Sequence, residues 1–226
     1  MSNSKVALLS YLADKAKLDA TIPSISQLGH DLGLSTAAVR EQLEIARQLE
    51  LVEIKTKTGI QRKAFSLTPA LCLVSRYGME VQPDLIWELI SVRQHLELAF
   101  WQEAVVRLSH KEIDYLADLI EKAEKKIQNQ PVVIPLEEHS EFHLSIYRPL
   151  NNTFLNGILE TYWQLSQETE FRMYSDQVYL ENVWTYHKKI QRAIATKEYD
   201  LGYQALMTHF ELVRTQKKAE ITQRFE

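Results

Sequence analysis

Four histidines in this 226-residue sequence stand at spacings that could bind a metal ion. His139 and His143 are four residues apart in "EEHSEFHLSIY", so on a helix they lie about 40° apart on one face. His187 and His209 are equidistant from a turn predicted near residues 196–200. Because residues equidistant from the turn of an antiparallel helix hairpin lie level with each other, these two side chains can face the same space. Neutral imidazoles are good ligands for zinc, nickel and related divalent ions.

The alternative interpretation is that these histidines are polar core residues held by hydrogen bonds. Four inward-facing imidazoles in a helical core would need many hydrogen-bond partners, and protonating them there would be costly. The joint pattern therefore favours a metal site. The other three histidines, His30, His95 and His110, fit surface or hydrogen-bonded positions.

A helical metalloenzyme is a rival function for such a site. Di-iron bundle oxidases need Glu-x-x-His pairs, but the residues three before these histidines are Leu136, Ser140, Trp184 and Leu206. An oxygenase facial triad would need a carboxylate ligand, for which no candidate stands out. The sequence also contains no G-x-S-x-G, P-loop or dinucleotide-binding glycine motif. We therefore expect a protein that is not an enzyme.

Composition and charge divide the chain unevenly. With 45% hydrophobic and 25% charged residues, the composition is that of a globular protein, and no apolar run approaches the ~20 residues that span a bilayer. The single cysteine, Cys72, excludes an internal disulfide and fits a reducing cytoplasm. Residues 1–66 contain nine Lys/Arg and seven Asp/Glu, a net charge of +2. Because the whole chain has a net charge of −4, the remaining residues have a net charge of −6. Only the N-terminal part is expected to meet a polyanion.

The N-terminal part has helix-turn-helix spacing. Ser24 and Gln27 predict an S-x-x-Q capping box, and Gly33 ends the helix that follows. Ser35 can cap the next helix, in which an apolar stripe repeats at Val39, Leu43 and Ala46. The pattern leaves five residues off the core face: Thr36, Ala37, Arg40, Gln42 and Arg47.

A short hairpin with a Thr58-Gly59 turn follows, and basic side chains surround its tip. A helix-turn-helix places its second helix in the major groove, and a basic hairpin can act as a wing that meets phosphates. The alternative is a plain helical subdomain whose charged residues are simply solvated. Such a subdomain would not need caps, a turn, a helix and a basic hairpin in this order. The candidate DNA-binding residues are Ser35, Thr36, Ala37, Arg40, Arg47, Lys55, Lys57, Gly59, Arg62 and Lys63.

The sequence therefore predicts a mainly α fold with an N-terminal winged helix-turn-helix and an all-helical bundle. The winged domain is expected over 1–68, a linker containing Pro69 and Gly78 over 69–82, and the helical domain over 83–226. About six helices are predicted in the bundle, over 84–107, 110–128, 135–147, 152–174, 179–195 and 198–217.

The N-terminal stretch "LGHDLGLSTAAVREQLEIARQLELVEIKTKTG" resembles the GntR family of bacterial winged-helix regulators. In that family an S-R-x-x-V-R-E-A-L pattern follows a small turn and precedes a glycine-bearing wing. Arg40 and Gly59 match the pattern, whereas Thr36 stands where the family usually has its first arginine. The resemblance implies binding to a double-stranded DNA operator.

The C-terminal part resembles the all-helical FCD effector domain that accompanies many GntR-type winged helices. "HSEFHLSIYRPLNNTFL" is similar to its D-x-x-x-H helix, and "YHKKIQRAIATKEYD" and "ALMTHF" are similar to its second and third histidine segments. The resemblance implies that His143, His187 and His209 are metal ligands and that His139 replaces the family's aspartate. It also implies a small carboxylate effector beside the metal, with Arg93 and Arg172 as candidate effector-binding residues.

The leading hypothesis is thus a homodimeric, ligand-responsive transcriptional regulator with a divalent metal, zinc or nickel. Two alternatives keep part of this picture. In one, the DNA-binding domain accompanies a metal-free pocket for an apolar acyl ligand. In the other, the chain is a structural adaptor, which would not need a basic wing. Arg93 and Glu97 could also form an ordinary i,i+4 helix pair, and Tyr162, Trp163, Phe171 and Tyr174 could be plain core residues.

Overall fold

The computed structural model describes residues 7–14, 21–55, 59–168 and 177–224, with side chains described as far as residue 212. Within these ranges the chain forms ten α-helices, one short 3-10 helix and a two-stranded sheet, which confirms a mainly α fold. The chain divides into two units, Met1–Val74 and Ser75–Glu226. Predictions for Lys57, Thr58, Phe171, Arg172 and Tyr174 lie outside the described residues.

The first unit has the predicted order of helices and hairpin. Its elements are α1 (Ala7–Ala13), α2 (Ile25–Leu32), α3 (Thr36–Gln48), β1 (Val52–Lys55) and β2 (Gly59–Arg62). The strands are antiparallel, with Val52 opposite Arg62 and Lys55 opposite Gly59. The apolar stripes of the three helices meet in one core, whose most buried members are Leu8, Leu28, Val39, Leu43, Ala46 and Val52.

The helix ends follow the sequence signals, with one difference. The Ser24 hydroxyl accepts a hydrogen bond from the Gln27 backbone N–H at 3.3 Å, as the capping pattern predicts. The Gln27 side chain does not complete the capping box, because it donates to Asp31 at 2.7 Å instead. Gly33 ends α2 with a φ of 65°, in the left-handed region that favours glycine.

Gln42 was predicted off the core face of α3, and this prediction is wrong. Its side chain is only 8% exposed, and its Oε1 atom accepts a hydrogen bond from the backbone N–H of Leu8 at 2.8 Å. The first N–H groups of a helix have no partner within the helix, so α1, which packs on α3, needs this acceptor.

Residues 69–82, predicted as a linker, are largely helical. They belong to α4 (Thr68–Val81), and the division between the two units falls within this helix. Pro69 does not prevent the helix because it lies in the first turn, where its missing N–H has no intrahelical acceptor. Gly78, which was expected in the linker, lies inside the helix.

The second unit contains the predicted six-helix bundle. Its helices are α5 (Leu85–Val105), α6 (His110–Ile127), α7 (Leu136–Tyr147), α8 (Thr153–Glu168), α9 (Gln177–Ala195) and α10 (Tyr199–Arg224). The 3-10 helix Arg148–Leu150 links α7 to α8. A full capping box of Ser109 and Glu112 begins α6. None of the helices in the described ranges is long and apolar enough to cross a membrane.

One continuous core holds the bundle together. Its fully buried aromatic and aliphatic members include Trp101, Phe142, Tyr147, Leu159, Ile190 and Leu206. Helices α5 and α10 approach closely at Gly202, where an added Cβ would lie 2.6 Å from the Trp101 ring. The Trp101 indole N–H donates to the Tyr199 carbonyl at 3.0 Å. These contacts fix the height of α10 against α5, and so the position of His209 two turns further on.

Candidate metal centre and nucleic-acid interface

Three helices bring the four predicted histidines to one place. His139 and His143 lie one turn apart on α7, His187 lies on α9, and His209 lies on α10. His139 is 9% exposed, and the other three are fully buried. One ring nitrogen from each of the four lies within 4.8 Å of the others, and the His187 and His209 ring centroids are 4.5 Å apart. The described part of the chain thus contains a buried cluster of four imidazoles.

Two of the imidazoles are oriented by hydrogen bonds away from the cluster. His143 Nδ1 lies 2.7 Å from Glu97 Oε2, and His187 Nδ1 lies 2.8 Å from the Val183 carbonyl oxygen. A carboxylate and a carbonyl only accept hydrogen bonds, so in the neutral imidazoles both Nδ1 atoms carry the proton. The Nε2 atoms of His143 and His187 therefore hold lone pairs, and they lie 3.2 Å apart.

This arrangement fits a shared metal ion. Two nitrogens bound to one ion at about 2.0–2.1 Å lie about 3.3 Å apart at a tetrahedral angle and about 2.9 Å apart at a right angle. His143 Nε2 lies 3.2 Å from His187 Nε2 and 3.2 Å from His209 Nε2, between these limits. His209 Nδ1 is buried and has no hydrogen-bond partner among the described residues. The spacing of His187 and His209 about His143 therefore suits a divalent ion that accepts nitrogen ligands, and His139 adds a fourth nitrogen within 4.8 Å of the others.

Burial keeps the imidazoles in the neutral form that binds metals. It lowers the pKa of His187 to about 3, although the hydrogen bond to Val183 opposes the change. It also lowers the pKa values of His139, His143 and His209 well below the usual 6.5, and the positive charges of neighbouring side chains add to the effect. All four rings are thus neutral near pH 7, and a metal ion would not have to displace ring protons at its ligand atoms.

A buried ion pair on α5 supports the cluster. Arg93 Nε donates to Glu97 Oε1 at 2.5 Å, and the two side chains are 3% and 0% exposed. Burial raises the pKa of Glu97, and the Arg93 guanidinium opposes this rise. Glu97 can thus accept from Arg93 through one oxygen and from His143 through the other. This is the carboxylate–histidine pairing that orients ligands in many metal sites.

Sequence reasoning treated Arg93 and Glu97 as a possible ordinary i,i+4 helix pair and missed the contact of Glu97 with His143. A signal was present, because Ile90, Arg93, Glu97, Trp101 and Ala104 follow the 3–4 spacing of a single buried helix face. Charged residues within an apolar stripe indicate a buried polar site. The identity of their partner on α7 could not be obtained from that stripe.

Aromatic rings enclose the cluster. The Trp163 ring lies 4.7 Å from His139, the Trp184 ring 4.6 Å from His187, and the Phe142 ring 4.6 Å from His187. The Arg93 guanidinium lies over the Trp163 ring at 4.3 Å. Trp163 is therefore buried, as expected for a core residue, but its indole N–H has no acceptor within the described ranges. These rings restrict the imidazoles to few orientations.

The first unit presents an exposed face at the start of α3. Ser35 caps this helix by accepting a hydrogen bond from the Ala38 N–H at 3.2 Å. Thr36, Ala37 and Arg40 are all exposed, as the helical spacing predicted. These side chains can therefore approach a DNA groove without rearrangement of the core.

Several predicted DNA-binding cations already contact protein groups. Exposed carboxylates pair with three of them: Arg47 with Glu44 at 2.5 Å, Lys55 with Glu53 at 2.8 Å, and Lys63 with Glu50 at 2.5 Å. Arg62 is half-buried and donates to the Leu12 carbonyl at 3.5 Å. Gly59 begins β2 with a φ of 73°, which favours glycine at the hairpin turn. Lys57 lies outside the described residues.

A winged helix-turn-helix unit joined to a helical unit with a buried polar site defines a class of DNA-binding transcriptional regulators. Residues 88–212 match the family model of the FCD domain, which covers more than half of the chain. The chain therefore belongs to the GntR-family regulators that carry an FCD effector domain. It is a transcriptional regulator and not an enzyme.

The similarity to known regulators extends over most of the chain. The HTH-type transcriptional regulator LutR of Bacillus subtilis is 22% identical over 195 residues, which cover 83% of this chain and 87% of LutR. The Uxu operon regulator of Haemophilus influenzae is 24% identical over 200 residues, covering 85% and 72% of the two chains. The structure of Streptococcus agalactiae GntR has the same fold, with a TM-score of 0.64, 17% identity and coverage of 94% and 97%.

Proposed function

We propose that this regulator binds one divalent metal ion, zinc or nickel, through His139, His143, His187 and His209. A small anion such as a carboxylate binds beside the metal and changes the affinity of a homodimer for its DNA operator. The proposal depends chiefly on one observation, the 3.2 Å between His143 Nε2 and His187 Nε2. Two lone pairs at this distance in a buried site repel each other, and a shared cation converts the repulsion into two bonds.

The surrounding residues have defined tasks in this site. Glu97 holds the His143 ring through Nδ1, Val183 holds the His187 ring in the same way, and Arg93 holds Glu97. A bound metal supplies positive charge and further coordination positions for a ligand. Because the ligands come from α7, α9 and α10, the relative positions of these helices become coupled to whatever binds at the centre.

The charge count favours an anionic effector. The four imidazoles are neutral, and the charges of Arg93 and Glu97 cancel, so a dipositive ion leaves an excess charge of two in a buried place. An uncompensated buried charge is costly, and a carboxylate would neutralise part of it. The buried N–H of Trp163 would also gain an acceptor if the anion reached it. Of the two predicted effector-binding residues, Arg93 lies beside the cluster in its ion pair with Glu97, and Arg172 lies outside the described residues.

The signal reaches DNA by a shift between conformations. An effector that binds one arrangement of α7, α9 and α10 more tightly than another favours that arrangement by the difference in affinity. In a homodimer, two winged helices contact half-sites separated by about 34–36 Å, one turn of DNA. A change in the spacing of the two winged-helix domains of the dimer changes their fit to the two half-sites. The exposed residues Thr36, Ala37 and Arg40 would meet the bases, and the hairpin would meet phosphates.

The metal content of purified, untagged protein tests the first step. We expect about one divalent ion per chain in the wild type and none in the variant H143A/H187A/H209A. The matched control H30A/H95A/H110A removes three exposed histidines and should keep the ion. If the wild type binds neither zinc nor nickel after reconstitution, the metal proposal fails. The metal-free pocket for an apolar ligand would then be the remaining hypothesis.

Binding to DNA fragments selected from the source genome tests the second step. The affinity of the zinc-loaded protein is measured by fluorescence anisotropy with and without a panel of small carboxylates. At least one carboxylate should change the affinity fivefold or more, which corresponds to about 1 kcal/mol of coupling. The triple variant should not respond. Light scattering of the same samples should give the mass of a dimer, and a monomer would contradict the homodimer.

A further inference from the structure

The donors that converge in this cluster are all nitrogens. The group contains His139, His143, His187 and His209, and no carboxylate or thiolate of the described residues belongs to it. The Glu97 carboxylate contacts the outer nitrogen of His143 and the Arg93 side chain, and it is not a member of the group. A metal held here would therefore have four neutral imidazoles and no anionic oxygen among its protein ligands.

Such a donor set discriminates between classes of metal ion. Imidazole suits zinc, copper, nickel and iron, whereas carboxylate, carbonyl and water oxygens suit magnesium, calcium and manganese. Magnesium also releases its water ligands reluctantly, and the histidines are at most 9% exposed. We infer that this site selects late first-row ions and binds zinc and nickel far more tightly than manganese and magnesium. His139 determines how large this difference in affinity is. The inference depends on the metal role proposed above and specifies its ligand class.

His139 differs from the other ligands in what its replacement would disturb. A change at His143 would remove one of the partners of Glu97, and a change at His187 would remove the hydrogen bond that its Nδ1–H donates to the Val183 carbonyl. His139 is the most exposed of the four, and it stands one turn from His143 on the same helix. A carboxylate placed there would add one negative oxygen donor and leave these two hydrogen bonds in place.

The test compares the affinities of zinc and manganese alone, each by competition with a chelating dye, in wild type and H139D. Any site with these donors binds zinc more tightly than manganese, so the informative quantity is the change in the ratio of the two affinities. We expect H139D to lower the zinc preference about tenfold or more, mainly by improving manganese binding. H95D, at an exposed position on α5, is the matched control and should leave the ratio unchanged.

H139A separates the number of donors from their type. It removes one donor without adding an oxygen, so both ions should bind more weakly and the ratio should change by less than in H139D. Circular dichroism checks that each variant is folded. Should H139D not fold, H139E provides the same oxygen donor on a longer side chain.

The outcomes distinguish this inference from the proposal on which it depends. If the wild type binds no zinc or nickel, the proposed metal role itself fails. If the wild type binds zinc but the folded carboxylate variant keeps the wild-type ratio, the metal role stands and the selectivity inference is overturned. The same conclusion follows if H139A changes the ratio as much as H139D.

Discussion

Glu97 Oε2 on α5 lies 2.7 Å from His143 Nδ1 on α7, and its other oxygen lies 2.5 Å from Arg93 Nε. A carboxylate in this position fixes which nitrogen of His143 carries the proton, and so turns Nε2 toward the other histidines. The ion pair and the histidine cluster are thus one connected network, and the first prediction tests that connection.

The substitution E97Q should lower zinc affinity about 10- to 100-fold, the usual effect of losing a carboxylate behind a ligating histidine. An amide has nearly the same shape but no charge, so it no longer favours the required orientation as strongly. The affinity is measured by dye competition. The control is E103Q, which is also on α5 and breaks an exposed ion pair with Arg107. Equal affinities for E97Q and the wild type would show that Glu97 only neutralises Arg93.

Metal binding should stabilise the second unit. Zinc at about 100 times its dissociation constant should raise the free energy of unfolding by about 2.7 kcal/mol, because only the folded cluster holds the ligands together. Calorimetric unfolding with and without zinc measures this difference. The variant H143A/H187A/H209A should show no zinc-dependent change. An equal shift in that variant would mean that the ion binds elsewhere.

The exposed Arg40 side chain provides a test of the DNA-binding face. In R40A, the free energy of binding to a selected DNA fragment should become less favourable by about 1–3 kcal/mol if Arg40 contacts a base. If it contacts only a phosphate, the slope of log affinity against log salt should decrease by about one and all sequences should be affected alike. R107A, which removes an exposed arginine of the second unit, is the control. Unchanged affinity and slope in R40A would remove it from the interface.

The ion pairs of the first unit predict that its acidic residues weaken DNA binding. Glu44, Glu50 and Glu53 each hold a candidate phosphate-binding cation. The variant E44Q/E50Q/E53Q should bind DNA more tightly at low salt, since exposed ion pairs are weak and the released cations can approach phosphates. Binding at several salt concentrations measures the gain. A control with E103Q, E121Q and E198Q changes the net charge equally in the second unit. An equal gain in both variants would assign the effect to overall charge.

The sequence alone determined much of the secondary structure and the shared helix faces of the histidines. Local signals were sufficient for the caps at Ser24 and Ser35, for the end of α2 at Gly33, and for the six helices of the bundle. The spacing of the histidines predicted their shared faces, because the geometry of one helix or one helix hairpin depends on residues close in sequence.

Tertiary structure decided the rest, because the deciding contacts join residues far apart in the chain. Gln42 is buried because α1 packs over it and needs an acceptor 34 residues away. The partnership of Glu97 and His143 joins residues 46 positions apart, and that of His143 and His187 joins residues 44 positions apart. Helical periodicity can state which face each side chain occupies. Only the packing of α5, α7, α9 and α10 determines which nitrogen meets which, and at what distance.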